Sequence, residues 1–363
     1  MDPKNISNNL KALRLSRGLT QPQLAKSAHI SPVQLSRIER GKSEPRIDTI
    51  YSIASALGVG LDELLMEPKR LQSVRLRARK KIKFRDRIIA EIACKLEDYN
   101  FLEQCLETPV DSVLDEIRGD IKKYRNNKNR PIRAAELCRI KFGLTDDEPI
   151  RDISGLLEQN GIKVIRFDYK SRDFFGLAVA EDDGGPAVIV NTWDRISVER
   201  WIFSAVHELG HLLLHLNAFN LDVTEEDDKQ EDEADRFASH FLMPKKAFKG
   251  EWLESRGLPI VERVLKVKQM FFVSYKTVLY RIGENADFNP FEIFNKLWYQ
   301  AGRTSLADHY EPVRLPESAF KEDRLARLVR DAVEGKLITI SRAAEILGIS
   351  LDEMRDRINQ WVA

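Results

Sequence analysis

A four-residue gap between His207 and His211, with Glu208 directly after the first, constrains this chain more than any other feature. On an α-helix that gap sets both imidazoles on one face about one turn apart, where they can share one ion. The fold must therefore give this segment a helix. It must also bring a third ligand to that helix from elsewhere, because a catalytic zinc takes three protein groups and keeps one position open. Glu208 lies where it can take a proton from a water acidified by zinc, a service that a purely structural site does not need.

Three sources of the third ligand can be weighed. His215 keeps the four-residue spacing, but on a straight helix it stands about 12 Å along the axis from His207, too far to close the same tetrahedron. The metzincin pattern needs a glycine turn and another histidine, whereas Leu212-Leu213-Leu214 continues the helix. That leaves the segment from Glu231 to Pro244, where Ala234, Phe237, Ala238 and Phe241 mark a second amphipathic helix. A carboxylate near its start can reach the ion. Glu233, beside Ala234 on the flank of the stripe, ranks ahead of Glu231. Asp235 is placed to orient a histidine, and His240 reads as packed or solvent-facing.

The N-terminal part is of a different kind. From Asn8 to Leu65 apolar residues recur at helical spacing in short blocks broken by Gly18, His29 to Ser31, Gly41 to Pro45 and Gly58, which predicts a compact bundle. Leu24-Ala25, a polar turn, then Val33, Leu35 and Ile38 give two short helices across a tight turn. Ser31 is a good N-cap, with Pro32 at the first helical position. The second helix would then present Val33, Gln34, Ser36 and Arg37 to a major groove, where glutamine suits adenine and arginine suits guanine.

Between these parts, residues 67 to 130 carry charge-rich helical patterns and end in a polar linker, Asn126 to Pro131. Strand patterns follow at Gly161 to Phe167, Phe175 to Ala180 and Ala187 to Asn191. Helical signal resumes near Ser197 and runs to the C-terminus, with breaks near Gly257, Asn289 and Arg314 to Glu317. Phe272 to Ile282 and Ile340 to Ser350 each read as helix, turn, helix. The expected division is 1–66, 67–130, 131–288 and 289–363.

The net charge of +1 conceals a basic run from Lys69 to Arg87 and an acidic one from Asp222 to Asp235. Three cysteines without a CxxC pair argue against a disulfide framework and for a reducing compartment. The polar N-terminus and the lack of a long apolar stretch point to a cytoplasmic protein without a membrane partner.

Two family resemblances stand on particular residues. Leu13-Arg14, Leu19-Thr20-Gln21, Leu24-Ala25, Ser36 to Gly41 and Pro45 look like the lambda-repressor/Cro (XRE) family over residues 8 to 66. That likeness implies Gln21 at a phosphate or base edge, Ser31 to Arg37 on the recognition helix, and an Arg14–Glu39 ion pair. Residues 150 to 245 resemble the ImmA/IrrE metallopeptidases, through Leu156 to Val164, Gly176, Ile189-Val190-Asn191, Arg200, His207 to His215, Glu233 to Ala238 and Leu242-Met243-Pro244. Trp201 to Ser204 departs from that family's usual threonine-containing run. The resemblance implies an α+β domain, zinc or sometimes manganese as the metal, and a glutamate of the second helix as third ligand.

The expected architecture is thus multidomain: an all-α helix-turn-helix bundle, an α+β zincin-like metallopeptidase with a small sheet, and a mainly α C-terminal region. The expected function is a regulator that binds double-stranded DNA and cuts a repressor or antitoxin in a stress, phage or mobile-element response. Metal ligands are His207, His211 and Glu233, the catalytic base is Glu208, and the DNA contacts are Gln21, Ser31, Val33, Gln34, Ser36 and Arg37. A homodimer is compatible with this reading. The competing expectation is a regulator whose metal domain is a non-proteolytic sensor or interaction module.

Overall fold

The computed structural model describes the chain apart from residues 1–2, 18, 66–70, 72–73, 79–84, 125–126, 220–226, 285, 303–305, 307–309, 322–323 and 363. Much of the basic run, Asp222 to Glu226 of the acidic run and Asn126 of the linker lie outside the described residues. The chain divides into two units, residues 1–72 with 82–101, and residues 73–81 with 102–363. Among the described residues no helix is long and apolar enough to cross a membrane.

The first unit holds α1 (Pro3–Ser16), α2 (Gln21–Ser27), α3 (Pro32–Glu39), α4 (Ile47–Leu57) and α5 (Leu61–Leu65). Local chemistry sets their ends. Thr20 and Gln23 form a reciprocal capping box at α2, Ser31 caps α3 with Pro32 in its first turn, and Gly58 closes α4 in the left-handed conformation. Leu10, Leu24, Ala25, Leu35, Ile38, Ile53 and Leu57 meet in its core.

Next in the chain come β1 (Val74–Ala78), α6 (Arg85–Cys105), α7 (Leu114–Ile121), α8 (Arg130–Lys141) and α9 (Ile153–Gln159), then β2 (Lys163–Phe167), β3 (Phe174–Val179) and β4 (Ala187–Asn191). The C-terminal part is helical: α10 (Val198–Leu214), α11 (Asp228–Leu242), α12 (Lys245–Glu254), α13 (Ile260–Phe271), α14 (Tyr275–Gly283), α15 (Pro290–Gln300), α16 (Arg324–Glu334), α17 (Ile340–Leu347) and α18 (Leu351–Val362). The three strands expected from sequence are β2, β3 and β4. β1 was not expected; it corrects the all-helical reading of residues 67 to 130.

The sheet runs β1-β3-β4-β2. β3 is antiparallel to both β1 and β4, while β2 and β4 are parallel. Val164, Ala178, Val188 and Val190 share one core with Ala205, Val206 and Leu209 of α10. Covered by β3 and β4 on one side and by α11 on the other, α10 is buried almost throughout. Such a helix is apolar nearly all round, so its few polar side chains are either paired or chemically employed.

One buried ionic cluster holds the C-terminal helices to the start of α10. Lys268 of α13 is fully buried, and its Nζ donates to Glu199 Oε1 at 2.7 Å and to the carbonyls of Pro312 and Val313 at 2.8 and 2.9 Å. Glu311 Oε1 lies 3.1 Å from the same ammonium. Burial pushes the Glu311 carboxyl up to about 7, against the pull of Lys268.

Candidate functional sites

Helix α10 starts at the Ser197 cap, and His207, Glu208 and His211 are all wholly buried within it. Two glycines make the space around them. At Gly176 of β3 an added Cβ would lie 2.8 Å from the Ile189 carbonyl and 3.3 Å from Glu208 Oε1, so the bare backbone leaves room for that carboxylate. At Gly210 a Cβ would lie 3.0 Å from the Phe237 ring and 3.4 Å from Ala234 Cα, so the glycine lets α11 approach α10 closely.

That approach carries a carboxylate to the histidines. His207 Nε2 and His211 Nε2 are 2.9 Å apart, and each lies 3.1 Å from an oxygen of Glu231. The three ligand atoms all fall within 4.8 Å of one another. Two imidazole nitrogens and one carboxylate oxygen suit zinc, whose bonds to such atoms are about 2.0–2.2 Å long. His207 Nδ1 meets Asp235 Oδ1 at 2.7 Å, where the sequence placed an orienting carboxylate. A cleft of about 660 Å³, lined in part by Phe203, Asp235, Ser239 and Tyr280, opens beside these residues.

Glu233 does not join the cluster. Its Oε2 lies 3.1 Å from His215 Nε2 and 3.4 Å from Arg130 Nη1, while His215 Nδ1 lies 2.9 Å from His211 Nδ1. Helical periodicity explains the misplacement: Glu231 and Glu233 lie roughly 70° and 90° from the centre of the α11 apolar stripe, on opposite flanks. Spacing measures that angle and not its side, and the side is decided by how α11 passes α10. His240, expected to be packed or exposed, is packed beside Glu284 and Arg281.

Sequence reading also missed Arg75. From β1 its guanidinium donates to Gln230 Oε1 at 2.5 Å and to Glu231 Oε1 at 3.0 Å. The available signal was the alternation Val74-Arg75-Leu76-Arg77-Ala78, a strand pattern inside a basic run.

In the first unit, α3 turns Leu35 and Ile38 inward and leaves Val33, Gln34 and Arg37 exposed, with Ser36 half-buried. Val33 is 64% exposed. Ser31 is committed to the cap, accepting from Gln34 N at 3.1 Å. Arg14 and Glu39 form a two-point ion pair at 2.5 and 3.0 Å. Gln21 donates to Glu39 Oε2 at 2.6 Å, so its amide nitrogen serves the fold.

Residues 10–64 match the helix-turn-helix family model, and residues 157–283 match that of the IrrE N-terminal-like domain, from β2's neighbourhood through α14. Over 62 residues the chain is 39% identical to the uncharacterized HTH-type transcriptional regulator y4dJ of Sinorhizobium fredii, covering 17% of this chain and 80% of that one. The chain belongs to the helix-turn-helix family and carries an ImmA/IrrE-type domain behind that motif. The immunity repressor protein of Bacillus phage phi105 is 37% identical over 62 residues, which cover 17% of this chain and 43% of the repressor. A solved helix-turn-helix transcriptional regulator from Vibrio cholerae is 30% identical, covering 23% of this chain and 52% of that one, with a TM-score of 0.18. This chain thus spans about half or less of the length of those last two proteins.

Protonation in the ImmA/IrrE-type domain suits ligation. Burial, reinforced by neighbouring His207, pushes the His211 imidazole well below its ordinary value, which keeps its lone pair available. Burial alone would raise Glu231, but the neighbouring His207 and His211 outweigh it and hold the carboxylate ionised. His215 falls to about 4, chiefly by burial and against the hydrogen bond to Glu233.

The placements of Glu231 and Glu233 predict unequal substitutions. If the cluster holds zinc, Glu231→Ala should abolish stoichiometric uptake, whereas Glu233→Ala, which reaches the cluster only through His215 and His211, should weaken it by about 10–100-fold. Competition with a chromophoric chelator measures both, and equal losses would contradict the assignment.

Proposed function

We propose that the ImmA/IrrE-type domain is a zinc-dependent endopeptidase and that the helix-turn-helix domain binds double-stranded DNA, together making a regulator that acts by cutting a repressor or antitoxin. The observation that carries the enzymatic half is the cluster of His207, His211 and Glu231 with Glu208 buried one residue along the same helix. A zinc ion there would polarise the scissile carbonyl and acidify water. Glu208 takes the proton from the attacking water and passes it to the leaving amine. Asp235 fixes the His207 ring, and the cleft beside it accommodates side chains flanking the scissile bond.

Metal analysis tests the first step, with about one zinc per chain expected. Co-expression with repressors encoded beside the gene tests the second, with one discrete shortened product expected from the wild type. A metal-free protein that leaves every candidate intact would remove the hydrolase and leave only the regulator.

For the DNA half, Gln34 and Arg37 on the open face of α3 read base edges, while Val33 and Ser36 contact the groove beside them. Gln21 and Ser31 act through the fold, the one steadying Glu39 and the other capping α3. Arg37→Ala should cost about 1–3 kcal/mol on the preferred operator and relax the preference at one base pair. Selection of operators from a random library, followed by titration at fixed salt, checks this. A uniform loss across all sequences would recast Arg37 as a phosphate contact.

A further inference from the structure

We infer that β1 is a displaceable strand: Val74–Ala78 fills the outer edge of β3, where an extended polypeptide would lie before Glu208, and Arg75 fastens it to Glu231. This rests on the peptidase reading and adds a resident competitor to it. The register sets Arg77 opposite Gly176, the residue whose missing side chain makes room for Glu208, so β1 crosses the part of the sheet nearest the proposed base. β3 is bonded to β4 along its other edge, which leaves the edge under β1 as the one where strands can exchange.

The clamp is unlike an ordinary edge contact. Arg75 holds the same carboxylate that groups with the two histidines. Its positive charge opposes a divalent ion at that carboxylate, so withdrawal of β1 and loading of metal favour each other. The segment 73–81 is also a short insertion, since the chain on both sides of it, 1–72 and 82–101, belongs to the first unit. β1 stands at the end of the strand order and pairs with β3 alone, so its exchange leaves the β3–β4–β2 pairing in place.

The test uses the full chain as wild type, Arg75→Gln and Arg75→Pro/Leu76→Pro, with a fluorescein-labelled peptide of residues 72–80 as probe. One of two consecutive amides must point at β3, so the double proline removes pairing whichever it is. A tethered strand competes at an effective concentration of order millimolar, so the double variant should bind the peptide at least about ten-fold more tightly than wild type. Amide exchange at Gly176 to Val179 should quicken by roughly ten-fold as well, with Arg75→Gln between the two. Should the double proline unfold, Arg75→Gln decides, because it removes one ion pair and leaves every backbone amide of β1 in place.

Equal peptide binding and equal exchange in all the proteins would overturn the inference and make β1 a fixed member of the sheet. Zinc content and cleavage, followed on the same samples, separate this from the peptidase reading. Tighter peptide binding by variants that hold no zinc and leave every candidate repressor intact keeps the displaceable strand and removes the hydrolase. Cleavage by the wild type that neither variant raises, with exchange unchanged, keeps the hydrolase and removes the displaceable strand.

Discussion

Glu208→Gln is expected to retain zinc and lose peptide hydrolysis by about 10²–10⁴-fold, the range for removing one positioned general base. In barrier height that is roughly 3–5 kcal/mol. The substitution suits the site because the amide has nearly the same shape as the carboxylate and fits the space that Gly176 leaves beside Oε1. It removes the basic lone pair and leaves His207, His211 and Glu231 in place. Rates of product formation, normalised to zinc content, give the answer. A variant cleaving within threefold of wild type would mean that another group takes the proton. Unchanged gene regulation by a cleavage-dead protein would favour a metal domain that senses without cutting.

The second large effect concerns stability. Lys268→Met should destabilise the ImmA/IrrE-bearing unit by about 3–5 kcal/mol, because it strands Glu199 and Glu311 without their buried cation. For a unit of this size that lowers Tm by roughly 10 °C. Glu199 Oε2 is already buried without a hydrogen bond, so it has no reserve with which to compensate. Replacing the whole group, Lys268→Met with Glu199→Gln and Glu311→Gln, should recover much of the loss, since no buried charge then remains.

The pH dependence has a definite sign. Glu311 binds its proton more tightly folded than unfolded, so its contribution is complete below about 4.5 and is lost as pH rises through about 7. Lys268→Met removes the cation that limits this shift, and its melting temperature should fall more steeply between pH 6 and 8 than that of wild type. Parallel pH profiles for the two proteins would show that the three side chains do not act as a group.

Legibility in the sequence followed the range of the interaction concerned. The α3 cap at Ser31 and the shared face of His207 and His211 are set within one or two helical turns, and both stand where the sequence placed them. Strands β2, β3 and β4 were legible because each is apolar enough to be buried on both faces. The third member of the His207–His211 cluster was not, because Glu231 and Glu233 differ only in which flank of α11 they occupy. β1 escaped for another reason: its alternation is local, but it lies inside a basic run that reads as helical, and its partner β3 is about a hundred residues away. The Lys268 cluster joins α10, α13 and the chain near Glu311, a meeting that no single segment foretells.

The line of contacts from His211 to His215 to Glu233 has a consequence for tautomers. For His211 to offer its Nε2 lone pair to an ion, its proton must sit on Nδ1 and point at His215 Nδ1, 2.9 Å away. His215 must then carry its own proton on Nε2, facing the Glu233 oxygen at 3.1 Å. Only that order of protons satisfies both contacts, so the carboxylate that stands outside the cluster still dictates which nitrogen of His211 is free to bind.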